Sequence, residues 1–478
     1  MSKIICGELT FNNIKYKFDF RDNILVLLPD ELQEYTKWHF EHIGAREKFD
    51  YVNIDGTTNN GWYICFIHVK FSYLGRGILQ AFIPGYVICK ANGISPLPIC
   101  DNIEKLRFYG TCLDKFYYPK RIIETSDFLH SDDIKFEVNK NKLKTEDFIV
   151  NKDKFCFGVY WKAPYSSNIN VVLDVASFLE INFNNCKNIN EIVEYYLNVK
   201  KFFFFINNRK YVKFDKIVAY KNEQINYGFK EHDDIRNTEI EFEFFFVDPE
   251  DKFDLNNSLN TIHIEDLDNK FSKLYKIITD KDFLTEYYPL STQDNNYIDN
   301  EKYINVSSAF ESEFDKLYPK FKSTFSAEYS EVKKSILKFI ANKKNRTNKK
   351  IKLSTDKNEL TSMKKVIKEC EYFSKIIKKI DGSLQEKIVY SYKEYNDIIG
   401  SKKKELMKNY ELVKASPGIL ADKFVKRRND ISHGNGTEQF TSFEIISYEL
   451  MRMSIYCITL ERIKMSKEKM KNFIDKLF

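Results

Sequence analysis

The sequence predicts an α+β protein of more than one domain, in which a β-rich sheet or sandwich is followed by an all-α helical bundle. Two periodicities lead to this fold class. In the first part of the chain apolar and polar residues alternate, as they do along half-buried strands. In the last part apolar residues recur every three or four positions, and no proline interrupts residues 320–416. We expect the β-rich region at residues 1–300 and the helical domain at residues 301–478, with the boundary between about residues 250 and 305.

The strand predictions rest on alternation. In NIKYKFDF every second residue from Ile14 to Phe20 is apolar, and IEFEF repeats the pattern from Ile240 to Phe244. The start of the chain also has the character of a strand. Further strands are expected in WYICFIHVKF, ILQAFIPGYVICK and KFCFGVYW, which Gly, Asn or Pro residues bound. One helix is expected near NINEIVEYYLNVKKF, with Asn190 as a possible cap.

The second half contains successive helical patterns, SAEYSEVKKSILKFIANKK, ELTSMKKVIKECEYFSKIIKKI and SLQEKIVYSYKEYNDIIGSKKKELMK. Between the first two, KKNRTNKKIK at residues 343–352 is strongly basic and lacks apolar spacing, which predicts a loop. Two interpretations remain open. The segment is either a solvated linker or a flexible arm that contacts RNA phosphates through Arg346, Lys349 and Lys350.

The next helix is predicted from both of its ends. In ASPGILADKFVKRRNDISHGNG, Ser416 is a good N-cap and Pro417 suits the first helical position. Gly434 suits the left-handed residue that follows a helix, so the helix should run from about Pro417 to about His433. Thr441 then opens a capping box that starts a long final helix. Together these patterns predict a bundle of about five helices.

Charge separates the two halves further. The chain has a net charge of +6. Residues 326–478 contain 34 Lys and Arg against 20 Asp and Glu, near +14, so residues 1–325 carry about −8. This asymmetry favours docking of a polyanion on the helical half, although lysines on solvated helix faces give the same count.

Other classes of protein are disfavoured by composition. No run approaches 18 uninterrupted apolar residues, so no membrane span is expected. The start, MSKIICGELTF, lacks the pattern of a secretory leader, so we expect a cytoplasmic protein. The nine cysteines are scattered without a CxxC pair, which disfavours both a disulfide framework and a zinc ribbon. We expect neither a metal nor another cofactor.

The segment KRRNDISHGN at residues 426–435 is the candidate site. Arg428, Asn429 and His433 lie off the apolar stripe predicted from Leu420, Phe424, Val425 and Ile431. Asn429 and His433 are four residues apart and therefore neighbours on one surface, where the amide could orient the imidazole. Arg428 precedes His433 by five residues, about 140° round an ideal helix. The two converge only if the helix loosens near Gly434, if the long Arg side chain reaches round, or if a second copy faces the first across a twofold axis.

These residue types fit RNA cleavage without a metal. Arg presents a planar fork of donors that matches phosphate oxygens, and His can take or give a proton near neutral pH. RNA carries its own nucleophile, the ribose 2′-hydroxyl, so the enzyme deprotonates it, stabilises the phosphorane charge and protonates the leaving 5′ oxygen. The expected products are a 2′,3′-cyclic phosphate, or its hydrolysed form, and a 5′-hydroxyl.

The pattern R-N-x-x-x-H at a helix end resembles the signature of the HEPN superfamily (higher eukaryotes and prokaryotes nucleotide-binding domains). That signature is an Arg, usually followed by a polar residue, with a His a few residues later. A large β-rich region before a C-terminal HEPN bundle is similar to the ApeA family of prokaryotic anti-phage defence proteins. The segments GELTF and EKLRFYGTCLDKFYYP look similar to the N-terminal domain of that family.

The resemblance implies that Arg428 and His433 are the essential pair and that Asn429 supports them. It implies a metal-independent endoribonuclease that acts as a homodimer through the helical domain and causes abortive infection by cleaving host RNA, with tRNA as the expected target. Lys426 and Arg427 are expected to contact the RNA, and the N-terminal region to respond to a phage-derived trigger. The alternative is a non-catalytic HEPN-like scaffold that dimerises or binds a nucleotide, while the N-terminal region recognises a phage component.

Overall fold

A computed structural model describes the following residues of the chain: 4–30, 50–75, 77–90, 99–125, 136–139, 142–162, 174–226, 235–249, 261–321, 327–353, 356–379, 382–412, 415–436 and 439–478. The chain forms two compact units. The first comprises Met1–Thr279 with Leu290–Thr292, and the second comprises Asp280–Pro289 with Gln293–Phe478. Among the described residues, none of the helices combines the length and the apolar character needed to cross a lipid bilayer. The α+β fold class predicted from the sequence is confirmed.

The first unit is built on strands. They are β1 Ile5–Phe11, β2 Ile14–Arg21, β3 Ile24–Pro29, β4 Val52–Thr58, β5 Tyr63–Val69, β6 Ser72–Gly75, β7 Ile78–Phe82, β8 Gly85–Cys89, β9 Ile103–Tyr109, β10 Ile123–Thr125, β11 Phe136–Val138, β12 Phe148–Val150, β13 Asp153–Lys162, β14 Asp174–Lys187, β15 Lys216–Asn226 and β16 Ile235–Phe246. Fourteen of them form one antiparallel sheet in the order β12-β13-β14-β9-β15-β16-β8-β5-β4-β1-β2-β3-β7-β6. The strands β10 and β11 pair separately.

Alternation predicted the faces of these strands correctly. Along β2 the residues are buried and exposed in strict alternation from Ile14 to Arg21. In β16 the apolar residues at positions 240, 242 and 244 are buried. The segment ILQAFIPGYVICK forms two strands, β7 and β8, because its Pro84 interrupts the pattern.

The sheet curls over its own apolar face. Phe20 on β2 lies three strand positions from Phe66 on β5, which is about 14 Å in a flat sheet. Their ring centroids are 5.2 Å apart, and Phe20 also contacts Tyr86 on β8 at 4.9 Å. Of the sheet and the sandwich predicted from the sequence, this part of the chain forms a single curled sheet that encloses its own core.

Three α-helices of the described first unit are α1 Thr111–Phe116, α2 Ile189–Asn207 and α3 Phe271–Ile278. Helix α2 begins two residues earlier than predicted, because its N-cap is Asn188 and not Asn190. Asn188 forms a capping box with Glu191, and each side chain bonds the backbone N–H of the other residue. Phe202 of α2 packs against Phe271 of α3, with ring centroids 5.1 Å apart.

The second unit is helical. Its described helices are α4 Asn300–Leu317, α5 Ala327–Ile351, α6 Lys357–Lys379, α7 Leu384–Glu394, α8 Asn396–Asn409, α9 Pro417–Ser432, α10 Ser442–Arg462 and α11 Lys467–Leu477. These are eight helices, more than the five predicted. The capping box of Thr441 and Glu444 is present, but the helix that it starts is not the last one, since α11 follows it.

The prediction of a basic loop at residues 343–352 is wrong. Residues 343–351 are the last turns of α5, which packs against α6. The apolar spacing becomes visible only over the whole helix, where Leu337, Ile340, Thr347 and Ile351 recur at helical intervals. Lys344 also forms an ion pair with Glu371 of α6, at 2.6 Å.

Candidate functional site

Helix α9 carries the candidate site and begins where the sequence predicted. The hydroxyl of Ser416 accepts a hydrogen bond from the N–H of Ile419 at 3.3 Å, and Pro417 occupies the first helical position. This satisfies one of the amide groups that a helix start leaves unpaired.

One face of α9 is buried in the bundle. Leu420, Ala421 and Phe424 have no exposed surface, and the helix packs against α4, α7 and α10. Val425 and Ile431 of the predicted stripe are only partly buried. The position between them that closes the stripe is Arg427, which is 5% exposed.

The C-terminal end of α9 is fixed by a left-handed turn. Gly434 has a φ of +80°, which glycine adopts without the strain of a side chain. Its N–H donates to the carbonyl of Ile431 at 3.0 Å, and the N–H of Asn435 donates to the carbonyl of Asp430 at 2.8 Å. This pair of bonds is the Schellman motif, and it ends the helix at His433 as predicted.

The chain after His433 is held against α4. The side-chain N–H of Asn300 donates to the carbonyl of Gly436 at 2.8 Å. A Cβ at Gly436 would lie 2.9 Å from Cγ1 of Ile431, so only glycine allows this approach. The backbone on both sides of His433 is therefore positioned by specific contacts.

An aromatic cluster packs against the buried face of α9 at Phe424. The ring of Tyr303 stacks on Phe424 at 4.5 Å, on Phe440 at 5.3 Å and on Tyr448 at 5.9 Å between centroids. Burial raises the pKa of the Tyr303 hydroxyl well above its ordinary value. This tyrosine therefore stays protonated at neutral pH and acts as a packing residue, not as a base.

Arg428 is half-exposed and has polar neighbours on two sides. Its Nη1 donates to Oδ1 of Asn429 at 3.3 Å, and its Nη2 lies 4.0 Å from Oε2 of Glu311 on α4. Its backbone carbonyl accepts from the hydroxyl of Ser432 at 2.8 Å. Glu311 is a site residue that the sequence analysis missed, since nothing in α4 marks it as a neighbour of α9.

Arg427 differs from its sequence-based interpretation. It was expected to contact RNA, but its guanidinium lies over the ring of Phe440 at 4.4 Å from the centroid, within the bundle. Burial of the side chain leaves little of it for a ligand on the surface. Lys426, which precedes it, is exposed. Arg427 is thus buried within the bundle, whereas Lys426 faces solvent.

His433 is exposed and occupies the C-cap of α9. The backbone N–H of His433 still donates to the backbone carbonyl of Asn429, at 3.0 Å. Residues 428–432 are α-helical, so the helix does not loosen before Gly434, and Arg428 and His433 leave the axis about 140° apart. Asn429 lies between them in sequence, and its amide oxygen accepts from Arg428. The backbone of one copy of α9 thus directs the two side chains apart, although the long Arg428 side chain bends toward Asn429.

The remaining candidate residues lie on another element. Arg346, Lys349 and Lys350 are exposed on α5, in the helical hairpin that α5 forms with α6. Within the described ranges, there is no group of three or more His, Cys, Asp or Glu side chains placed to hold a metal ion.

Comparisons with protein-family models, with curated proteins and with solved structures give no match to this chain.

The end of α9 can perform two chemical tasks. The exposed imidazole of His433 can exchange a proton with a bound ligand, because an imidazole ring has one nitrogen that can donate and one that can accept. The guanidinium of Arg428 can exchange its distant partner Glu311 for a phosphate group, which it would bind through two parallel N–H donors.

Proposed function

We propose that the protein is a metal-independent endoribonuclease of the HEPN type, whose site is formed by Arg428, His433 and Asn429. The observation that carries the proposal is the exposure of Asn429 and His433, with Arg428 partly exposed beside them, at the fixed end of α9.

In this proposal each residue has one role. Arg428 binds the scissile phosphate and offsets the charge that develops on the phosphorane. His433 transfers protons between the 2′-hydroxyl, which attacks the phosphorus, and the 5′ oxygen, which leaves. Asn429 orients the Arg428 guanidinium through its amide oxygen. The products are a 2′,3′-cyclic phosphate, or the phosphate formed by its hydrolysis, and a 5′-hydroxyl.

The active species in this proposal is a homodimer. Arg428 and His433 leave the axis of one helix about 140° apart, and this divergence favours a site that takes the arginine of one copy and the histidine of another. An isologous pairing of two α9 ends generates two such sites.

The biological context is an extension of the resemblance to the ApeA family. The enzyme acts in the cytoplasm, cleaves host RNA such as tRNA during phage infection, and so causes abortive infection. The β-rich region responds to a phage-derived trigger. These statements have their support in the sequence resemblance and in the two-part architecture.

Purified protein tests the chemistry. We expect it to cut structured RNA in buffer that contains EDTA. We expect His433→Ala to lower the rate of cleavage by at least about a hundredfold. Ser432→Ala is the matched control, since Ser432 is the exposed neighbour and its hydroxyl bonds only the helix backbone. Equal cutting by wild type and His433→Ala would reject the proposed site.

A second candidate function is a non-catalytic scaffold that binds a nucleotide. A cleft of about 630 Å³ in the second unit favours it, a size typical of small-ligand sites. Its lining includes Lys402, Tyr410, Gln439 and Phe440, so it offers a cation, an amide and aromatic rings. Titration of the protein with ATP, GTP and their diphosphates tests this function. Binding that slows hydrogen exchange in the residues that line the cleft, in a protein that cuts no RNA, would favour the scaffold over the ribonuclease.

A further inference from the structure

One margin of the large sheet is open. β12 is the first strand in the order of the sheet, so its far side meets no other strand in the part of the chain that the structure describes. Residues 142–147, which precede β12, extend this margin along β13. The N–H of Thr145 donates to the carbonyl of Phe157 at 2.8 Å. The carbonyl of Leu143 accepts from the N–H of Val159 at 2.9 Å.

Lys144 directs its backbone polar groups away from the sheet. It lies opposite Gly158 in an isolated antiparallel bridge, and the hydrogen bonds on either side of this bridge belong to Leu143 and Thr145. A residue in such a position points its own N–H and C=O outward. Within the described ranges, no other group bonds the backbone N–H or C=O of Lys144. Unpaired groups on a strand edge are a template for a further strand.

A cleft lies beside this edge. Its volume is about 1040 Å³, and its lining includes residues 144–148 together with Tyr118, Arg121 and Ile264 from other elements. With strands about 4.8 Å apart, sheets about 10 Å thick and a rise of about 3.3 Å per residue, one residue of a strand fills about 160 Å³. The cleft therefore has room for about six residues of extended chain.

Side-chain contacts tie the elements around the cleft together. The hydroxyl of Tyr117 donates to the backbone carbonyl of Lys142 at 3.0 Å, which anchors the edge segment. The guanidinium of Arg121 lies over the Tyr117 ring, 3.9 Å from its centroid. Arg121 also donates to the carboxylate of Glu265. A site that is shaped before binding loses less entropy when a ligand enters.

The charges of the lining favour a peptide over a nucleic acid. The cations of the lining are Arg121, Lys142 and Lys144, and its carboxylates are Glu146, Asp147 and Glu265. A nucleic acid is bound by an excess of positive charge, because its phosphates must be neutralised. The backbone of a peptide is neutral, and its N–H and C=O groups pair with those of an open strand edge. The chemistry of this cleft thus fits an extended peptide.

We propose that the edge at Lys144 binds an extended peptide segment of a partner protein, which adds as a strand beside residues 142–147 through main-chain hydrogen bonds. The pairing is short, because the register along β13 changes: Lys144 lies opposite Gly158, whereas Phe148 lies opposite Phe155. The site lies within the first unit and does not depend on the ribonuclease proposed for the second.

The test separates the backbone of residue 144 from its side chain. A displayed library of random peptides of about twelve residues, twice the length that fits the cleft, is selected on the full-length protein. The selected peptides are then labelled for fluorescence anisotropy. We expect Lys144→Pro to weaken their binding at least about tenfold, because proline lacks the N–H and its ring blocks the edge. Lys144→Ala keeps the N–H and is the matched control, and its affinity should stay within about threefold of wild type.

Lys144→Pro is expected to fold, because the N–H that it removes bonds no described group and edge strands tolerate proline. Thermal denaturation checks this. Hydrogen exchange provides a second measurement that needs no variant. The amide of Lys144 should exchange at least about tenfold more slowly in the wild-type complex with a selected peptide than in the free protein.

Three results would overturn the proposal. The first is a selection that enriches no peptide above the level found with an unrelated protein. The second is equal binding of the peptides by wild type and Lys144→Pro, or a Lys144 amide that the bound peptide leaves unprotected. The third is a dimer of the wild-type protein that Lys144→Pro dissociates, since a second copy of the chain would then occupy the edge.

Discussion

The guanidinium of Arg428 faces the carboxylate of Glu311 at a distance of 4.0 Å, and each side chain is 36% exposed. An ion pair of this length in water contributes less than about 1 kcal/mol to stability. It does, however, place a negative charge beside the group proposed to bind phosphate. In the proposed ribonuclease, Glu311 orients Arg428 before RNA arrives and competes with RNA for it.

Replacement of Glu311 tests this relationship. We expect Glu311→Gln to bind RNA about two- to tenfold more tightly, because a like charge is removed from the phosphate site, and to leave the free energy of unfolding within about 0.5 kcal/mol of wild type. Steady-state cleavage should show a lower KM and an unchanged kcat. A fall in kcat of a hundredfold would instead make Glu311 a proton-transfer group, contrary to its role here.

The neighbouring arginines should respond to mutation in opposite ways. Arg427→Ala removes a buried cation–π contact with Phe440 and should lower the free energy of unfolding by about 2–3 kcal/mol. Arg428→Ala removes a half-exposed side chain and should change stability by less than about 1 kcal/mol while it abolishes cleavage. Urea denaturation and a cleavage assay on both variants separate the effects. Equal losses of stability would contradict the difference in burial.

Gly434 gives a test of the helix end that supports His433. Its φ of +80° strains any residue with a side chain, and Gly434→Ala should cost about 1 kcal/mol of stability. Open space surrounds the added Cβ, so the cost comes from the backbone alone. Gly434→Asn should cost less, because asparagine tolerates the left-handed region. If thermal denaturation ranks alanine as the more stable variant, the left-handed turn is not formed.

A mixing experiment tests whether two copies share each site. Arg428→Ala and His433→Ala proteins, each inactive alone, are co-expressed so that they assemble at random. If each site takes its arginine from one copy and its histidine from the other, half of the dimers are mixed and one of their two sites is intact, so about a quarter of wild-type activity returns. No recovery in a mixture that contains heterodimers would place both groups of a site in one protomer.

The sequence predicted the parts of this protein that local patterns determine. The alternation from Ile14 to Arg21 and the caps at Ser416 and Thr441 each depend on a few neighbouring residues, and the structure has them as predicted. Gly434 belongs to the same class, because the left-handed position after a helix strongly favours glycine.

Long-range packing determined what the sequence missed. Arg427 follows Phe424 by three residues, so it continues the buried stripe that starts at Leu420. Its charge, however, predicts an exposed side chain. Phe440, which lies outside the helix, helps to make this burial favourable because its ring faces the guanidinium. Glu311 could not be found for the same reason, since α4 and not α9 supplies it.

The end of α5 was misassigned because its helical spacing is sparse. In residues 343–352 only Ile351 is a large apolar residue, and the other inward positions are Lys344 and Thr347. Their partners lie on α6, so a window of ten residues resembles a solvated loop. Pairing with the second helix, through contacts such as Lys344 with Glu371, stabilises the helix to Ile351.

The most direct test of the central claim is to sequence RNA ends, with their terminal chemistry, after incubation of structured RNA with wild type and with His433→Ala in EDTA. We expect new 5′-hydroxyl ends and 2′,3′-cyclic phosphates with wild type and none with the variant. Ends that carry 5′-phosphates, or identical ends with both proteins, would contradict catalysis by the imidazole at the end of α9.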